Sequence, residues 1–148
     1  MNTGRIIRKQ DGAAAVEFAI ILPLFLLIVF GIVEWSLYLF NDHIITDASR
    51  RGARRGIVQA SPKVPASEIQ EEVLRYTGDH LVTFGTPNTP NVEVSINALS
   101  PPSNCTTFGD DLIVNVTYDY TFLLLPALTF GKVSPSATII ARTVMKCE

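Results

Sequence analysis

The sequence holds little of what catalysis and metal binding require. Its 148 residues include two histidines, two cysteines and one tryptophan. His43 and His80 form no H-x-x-x-H pair and neither neighbours a cysteine, so no metal-ligand spacing is present. Cys105 and Cys147 form no C-x-x-C pair, which excludes the common zinc and thiol-redox spacings. A phosphate-cradling G-x-x-x-x-G-K-[ST] and a G-x-S-x-G elbow are both missing, and no nucleophile sits with a base. Asp110-Asp111 could bind calcium, but paired acids in a turn are more commonly just solvated. Charged residues make up 18% and the formal net charge is −2, which gives no general pull toward nucleic acid. The expectation is a protein that is not an enzyme and has no catalytic residue, cofactor or metal.

What the chain does have is one long apolar run. Positions 12–18 read Gly-Ala-Ala-Ala-Val-Glu-Phe and open a stretch that continues, nearly unbroken, to Phe40. No residue from Phe18 to Val33 is charged, and adding Trp35 to Phe40 gives more than about 20 mainly apolar positions, enough for a helix to cross a ~30 Å hydrocarbon core. Trp35 and Tyr38 stand at its far end, where amphipathic rings favour the interface. Glu34 beside them reads as an interfacial carboxylate in reach of water, with a buried partner site as the alternative. Pro23 removes one backbone hydrogen bond and predicts a bend or local melting. Glu17 is the anomaly, since a charge in the membrane costs on the order of 2–3 kcal/mol on insertion scales. Such an acid requires a neutralising partner.

Arg5, Arg8 and Lys9 precede the run and should stay cytoplasmic. Arg50, Arg51, Arg54 and Arg55 follow it and compete under the same rule; the leader is given precedence because the first basic cluster usually dominates. A secretory signal peptide would have a shorter apolar core and a small-residue cut after it, for which Thr46-Asp47-Ala48 is a poor match. The plausible cut instead precedes the run, between Gly12 and Ala13, where small residues let a protease take the backbone in extended form. Three segments result: a cytoplasmic leader (1–12), a transmembrane helix (13–40) and a head outside the cytoplasm (41–148).

Beyond Phe40 the helix is expected to continue. Ala48, Gly52 and Gly56 recur every four residues, with Ile45 on the same face and the arginines elsewhere. This stripe admits a close backbone, either the chain's own head or a neighbouring subunit. Residues 61–66 break the helix. A short helix is predicted from Ala66 to about Tyr76, with Ser67 as N-cap and Ile69, Val73 and Leu74 as its apolar stripe. Residues 84–90 read as loop. Three strands follow, at 92–96, 112–121 and 138–146, each with period-two patterning. The fold class is therefore α+β: a long N-terminal helix entering a head with a short helix and a small antiparallel sheet, solvated on one face. The connection at 122–130 is strongly apolar for a loop. It is either a lid on the core or a contact with membrane lipid or a partner. Outside the cytoplasm the default state of Cys105 and Cys147 is a disulfide, with free thiols as the alternative.

A basic leader ending in glycine, then glutamate as the fifth mature residue and an aromatic after it, resembles the class III signal sequence of type IV filament proteins. Here these positions are Gly12, Ala13, Glu17 and Phe18. Over roughly residues 12–57 the chain is similar to the TadE-like family, pseudopilins of the tight-adherence (Flp) pilus system. The residues that carry this are Val16-Glu-Phe-Ala-Ile-Ile-Leu-Pro-Leu, Phe30-Gly-Ile-Val-Glu-Trp and Ala48-Ser-Arg-Arg-Gly-Ala-Arg54. The resemblance implies cleavage after Gly12 by a prepilin peptidase. It also implies partnership with the major Flp pilin, other pseudopilins and an inner-membrane assembly platform. The head is larger than that of typical major Flp pilins, which implies a minor component. The competing reading is an uncleaved, single-pass anchor for a periplasmic binding or adhesion module.

Overall fold

The computed structural model describes residues 10–58, 61–82, 88–97, 105–128, 131–132 and 135–148. Helix α1 (Gln10–Ile57) has 48 residues and extends ~72 Å at 1.5 Å per residue. It runs without interruption past Pro23, so the melting expected there does not occur. One lost hydrogen bond is outweighed by the intact ladder on either side. The elements that follow are α2 (Ala66–His80), β1 (Asn91–Ile96), β2 (Asp111–Thr121), the single turn α3 (Leu125–Leu128) and β3 (Ser136–Lys146). The strands form one antiparallel sheet in the order β1-β2-β3.

The period-two pattern decides which sheet face meets the helices. On β2, Leu112, Val114, Val116, Tyr118 and Tyr120 are buried against α1 and α2, joined by Val92 and Val94 from β1 and by Ile139 and Ala141 from β3. On the other face of β3, Ile140, Arg142 and Val144 are exposed. From the helices, Ile45, Ile69 and Val73 complete the core. One polar contact fixes α1 over the sheet: the hydroxyls of Ser49 and Thr143 meet at 2.6 Å.

Helix α2 differs from expectation in two respects. Its N-cap is Pro65, with extended φ −72° and ψ 153°, and no side chain caps it. The Pro65 carbonyl accepts from the N–H groups of Glu68 and Ile69, which places Ser67 inside the first turn. The helix also continues past Tyr76 to His80, because its buried stripe is Ile69, Val73 and Thr77, while Leu74 is exposed. The Thr77 hydroxyl donates to the carbonyls of Val73 and Leu74, and this burial outweighs the ~1 kcal/mol cost of Gly78 in a helix. Just beyond, the Asn41 side-chain amide grips both backbone groups of Val82.

The small-residue stripe of α1 packs on the chain's own head. A Cβ on Gly52 would stand 2.5 Å from Cγ2 of Val73, and one on Gly56 would stand 2.6 Å from Cδ1 of Ile69 while also colliding with Leu112. Cys105, ahead of β2, is bonded to Cys147, after β3, with 5.6 Å between Cα atoms and a separation of 42 residues. It ties the sheet at the end far from α3.

Gly56→Ala should lower head stability by about 1–3 kcal/mol despite alanine's better helix propensity, because two core side chains must move. Removing the disulfide as Cys105→Ser/Cys147→Ser should cost about 4 kcal/mol on the chain-entropy model. Denaturant titration of the full chain in detergent, followed by circular dichroism, measures both.

Candidate functional site: the bare arm and its junction with the head

Among the described residues, the first half of α1 has no buried position before Glu34. None of its most apolar 18-residue window is buried. Val16, Phe18, Ile20, Ile21, Leu24, Phe25 and Ile28 are all exposed, and they lie around the whole circumference of the helix rather than on one stripe. A helix apolar all round is stable only when its surroundings are apolar too. By length and composition this arm is long and apolar enough to cross a membrane once. Glu17 and Phe18 are exposed on it. Gly12 and Ala13 lie within α1, close to the first described residue of that helix. The leader residues Arg5, Arg8 and Lys9 lie outside the described residues.

The head begins at Glu34, which corrects the reading of that residue as a solvent-facing carboxylate. Glu34 is only 2% exposed. Its Oε1 accepts a hydrogen bond from the N–H of Leu123, and the N–H of Leu124 reaches Oε1 at 2.9 Å and Oε2 at 3.2 Å. Helical spacing carried the signal. Glu34, Tyr38, Asn41, Ile45, Ala48 and Gly52 alternate steps of four and three and so share one face, the face that packs on the head.

Aromatic rings fill the same junction. Tyr38 stacks on Phe122 at 5.9 Å and meets Tyr120 edge-on at 5.7 Å, while Trp35 stacks on Tyr38 at 5.4 Å. Phe122 is buried, and α3 continues the connection along α1. The stretch from Phe122 therefore covers the end of the core, although Leu123 remains exposed. The Tyr120 hydroxyl is buried without a hydrogen-bond partner among the described residues. Its pKa is raised, first by burial, then by the Glu34 charge and by Tyr118; burial also raises Tyr118.

Other candidate groups are spent within the chain. Arg51 lies over the Tyr76 ring, 4.1 Å from its centroid, and bridges Asp47; Arg55 pairs with Glu68. Asn97 donates to Asp110, and Lys146 pairs with Asp111 at 2.7 Å. Among the described residues no group of three or more His, Cys, Asp or Glu side chains could hold a metal.

Glu34→Ala should destabilise the head by roughly 2–4 kcal/mol, since it strands two amide donors, and Glu34→Gln should recover part of that. The buried tyrosines set an alkaline limit. Their folded pKa values lie above the ordinary tyrosine value of about 10, so the unfolded chain releases these protons first. Their contribution is complete below about pH 10 and is lost as pH rises through the folded values. Denaturation midpoints across that range, with phenolate absorbance, check the sign.

Residues 12–54 match the family model described as TadE-like protein. No curated protein and no solved structure matches the chain. The matched segment runs from the glycine ahead of the arm, through Glu17 and Glu34, into the small-residue face under the head. Over those residues, somewhat under a third of its length, the chain is similar to the TadE-like family.

Proposed function

We propose that this protein is a pseudopilin, a minor structural subunit for assembly of a tight-adherence (Flp) type IV pilus, matured by prepilin peptidase between Gly12 and Ala13. The TadE-like match associates the chain with that pilus system in general and begins at Gly12 itself. The observation that carries the finer reading is the arm: apolar on every side, without a buried residue among its described positions before Glu34, and bearing one acid four residues after Ala13. Lipid satisfies such a helix before assembly, and the packed helices of a filament or its initiating complex satisfy it afterwards.

Cleavage creates a positive amine at Ala13. In an assembly the Glu17 carboxylate of one subunit pairs with the amine of a neighbour. The pair removes the cost of a lone buried acid and sets the axial stagger between subunits. Partners on this reading are the peptidase, the major pilin, other pseudopilins and the inner-membrane assembly platform. The leader arginines and lysine hold the N-terminus on the cytoplasmic side, and the head stands in the periplasm.

N-terminal mapping in cells with active pilus machinery should find Ala13 as the first residue. An intact Met1 there would remove the proposal. Glu17→Ala should leave the protein present and its head folded while surface fibres fall sharply or disappear; normal piliation would rule out the pairing.

A further inference from the structure

We infer that the start of the β2–β3 connection, from Phe122 to Ala127, is a second lipid contact, a foot on which the head rests at the far face of the membrane, held in place by Glu34. The inference rests on α1 spanning the bilayer. From Ala13 to Glu34 the helix rises ~32 Å, close to the ~30 Å hydrocarbon thickness. Leu123 and Leu124 are hydrogen-bonded to Glu34 and therefore sit at the same depth, where the apolar core gives way to the interface.

The connection suits that place in side chain and backbone. From Phe122 to Leu128 no residue is charged. Leu123 is 55% exposed, and Trp35, at 53%, is linked to it through the Tyr38–Phe122 stack. Irregular backbone is admitted to apolar surroundings only when its N–H groups are satisfied from within. Here Glu34 takes those of Leu123 and Leu124, the Pro135 carbonyl takes that of Phe122, and the Pro126 carbonyl takes that of Gly131. The Glu34 carboxylate is covered by the amides it binds and so is not presented to lipid. The opposite end of the sheet has the reverse character: Asp110, Asp111 and Lys146 cluster there beside the disulfide. Charge is thus absent from Phe122 to Ala127, with Lys132 further along the connection, and is gathered at the end of the sheet that points away. Continuity of the foot with the span makes lipid its occupant.

The test uses the full chain in phosphatidylcholine–phosphatidylglycerol nanodiscs with spin-labelled lipids as quenchers. Trp35, the single tryptophan, reports the interface directly. Fluorophores are placed by Leu123→Cys, by Phe25→Cys within the arm, and by Val144→Cys on the outer sheet face eight residues beyond Ser136. The expected result is that Leu123 loses fluorescence to the shallow quencher as strongly as Trp35, Phe25 loses it to the deep quencher, and Val144 loses none. Quenching at Phe25 with Leu123 no more affected than Val144 overturns the foot and leaves the span standing. No quenching at Phe25 overturns both. Leu123→Cys copies that cross-link to one another while shielded from lipid would make this face a contact between copies, which also overturns the inference. Adding Glu34→Ala should reduce quenching at Leu123; unchanged quenching would remove Glu34 from the role.

Discussion

One face of one helix organises this protein. Between Glu34 and Gly56 the head-facing positions of α1 advance by threes and fours, beginning with an acid and an aromatic and ending with residues too small to hold the sheet away. Helix α2, the sheet and the β2–β3 connection all take their positions from that face. Without Gly52 and Gly56 the core side chains of α2 and β2 could not close on the helix. Without Glu34 the connection would arrive with amide donors unpaired.

The two acids of the apolar helix are treated in opposite ways. Glu34 is answered inside the chain, by backbone N–H groups that need an acceptor as much as it needs donors. Glu17 lies on the bare arm, beyond reach of the head, and in the proposed assembly its cation comes from another subunit. This division has a mechanical consequence. In the proposed assembly the head would keep its internal contacts while the arm changes surroundings from lipid to packed helices. A subunit that must leave a membrane to join a filament needs that independence.

Much of the fold was legible in the residues. Apart from Ile113, which is buried on the outer face, β2 alternates because one sheet face is packed on the helices, so Leu112 to Tyr120 announced both the element and its inward side. The small-residue stripe of Ala48, Gly52 and Gly56 announced close packing, but not its partner, since a neighbouring subunit would need the same small residues. Glu34 was misread because an acid at the end of an apolar run ordinarily reaches water; the spacing to Tyr38 and Asn41 carried the contrary signal. The extent of α2 was missed because Gly78 is a poor helix residue, and only the burial of Thr77 reveals why the helix continues.

The sequence by itself determined the arm. A span needs only length and apolarity, and the anomaly of Glu17 is visible wherever a charge interrupts such a run. It also determined the alternation of the strands and the cysteines available for a bridge. Only the tertiary structure decided where the head begins, what Glu34 holds, and which surface meets the stripe of small residues. Those outcomes depend on amide groups some ninety residues away along the chain, and every residue carries the same amide, so no pattern of side chains could have singled out Leu123 and Leu124.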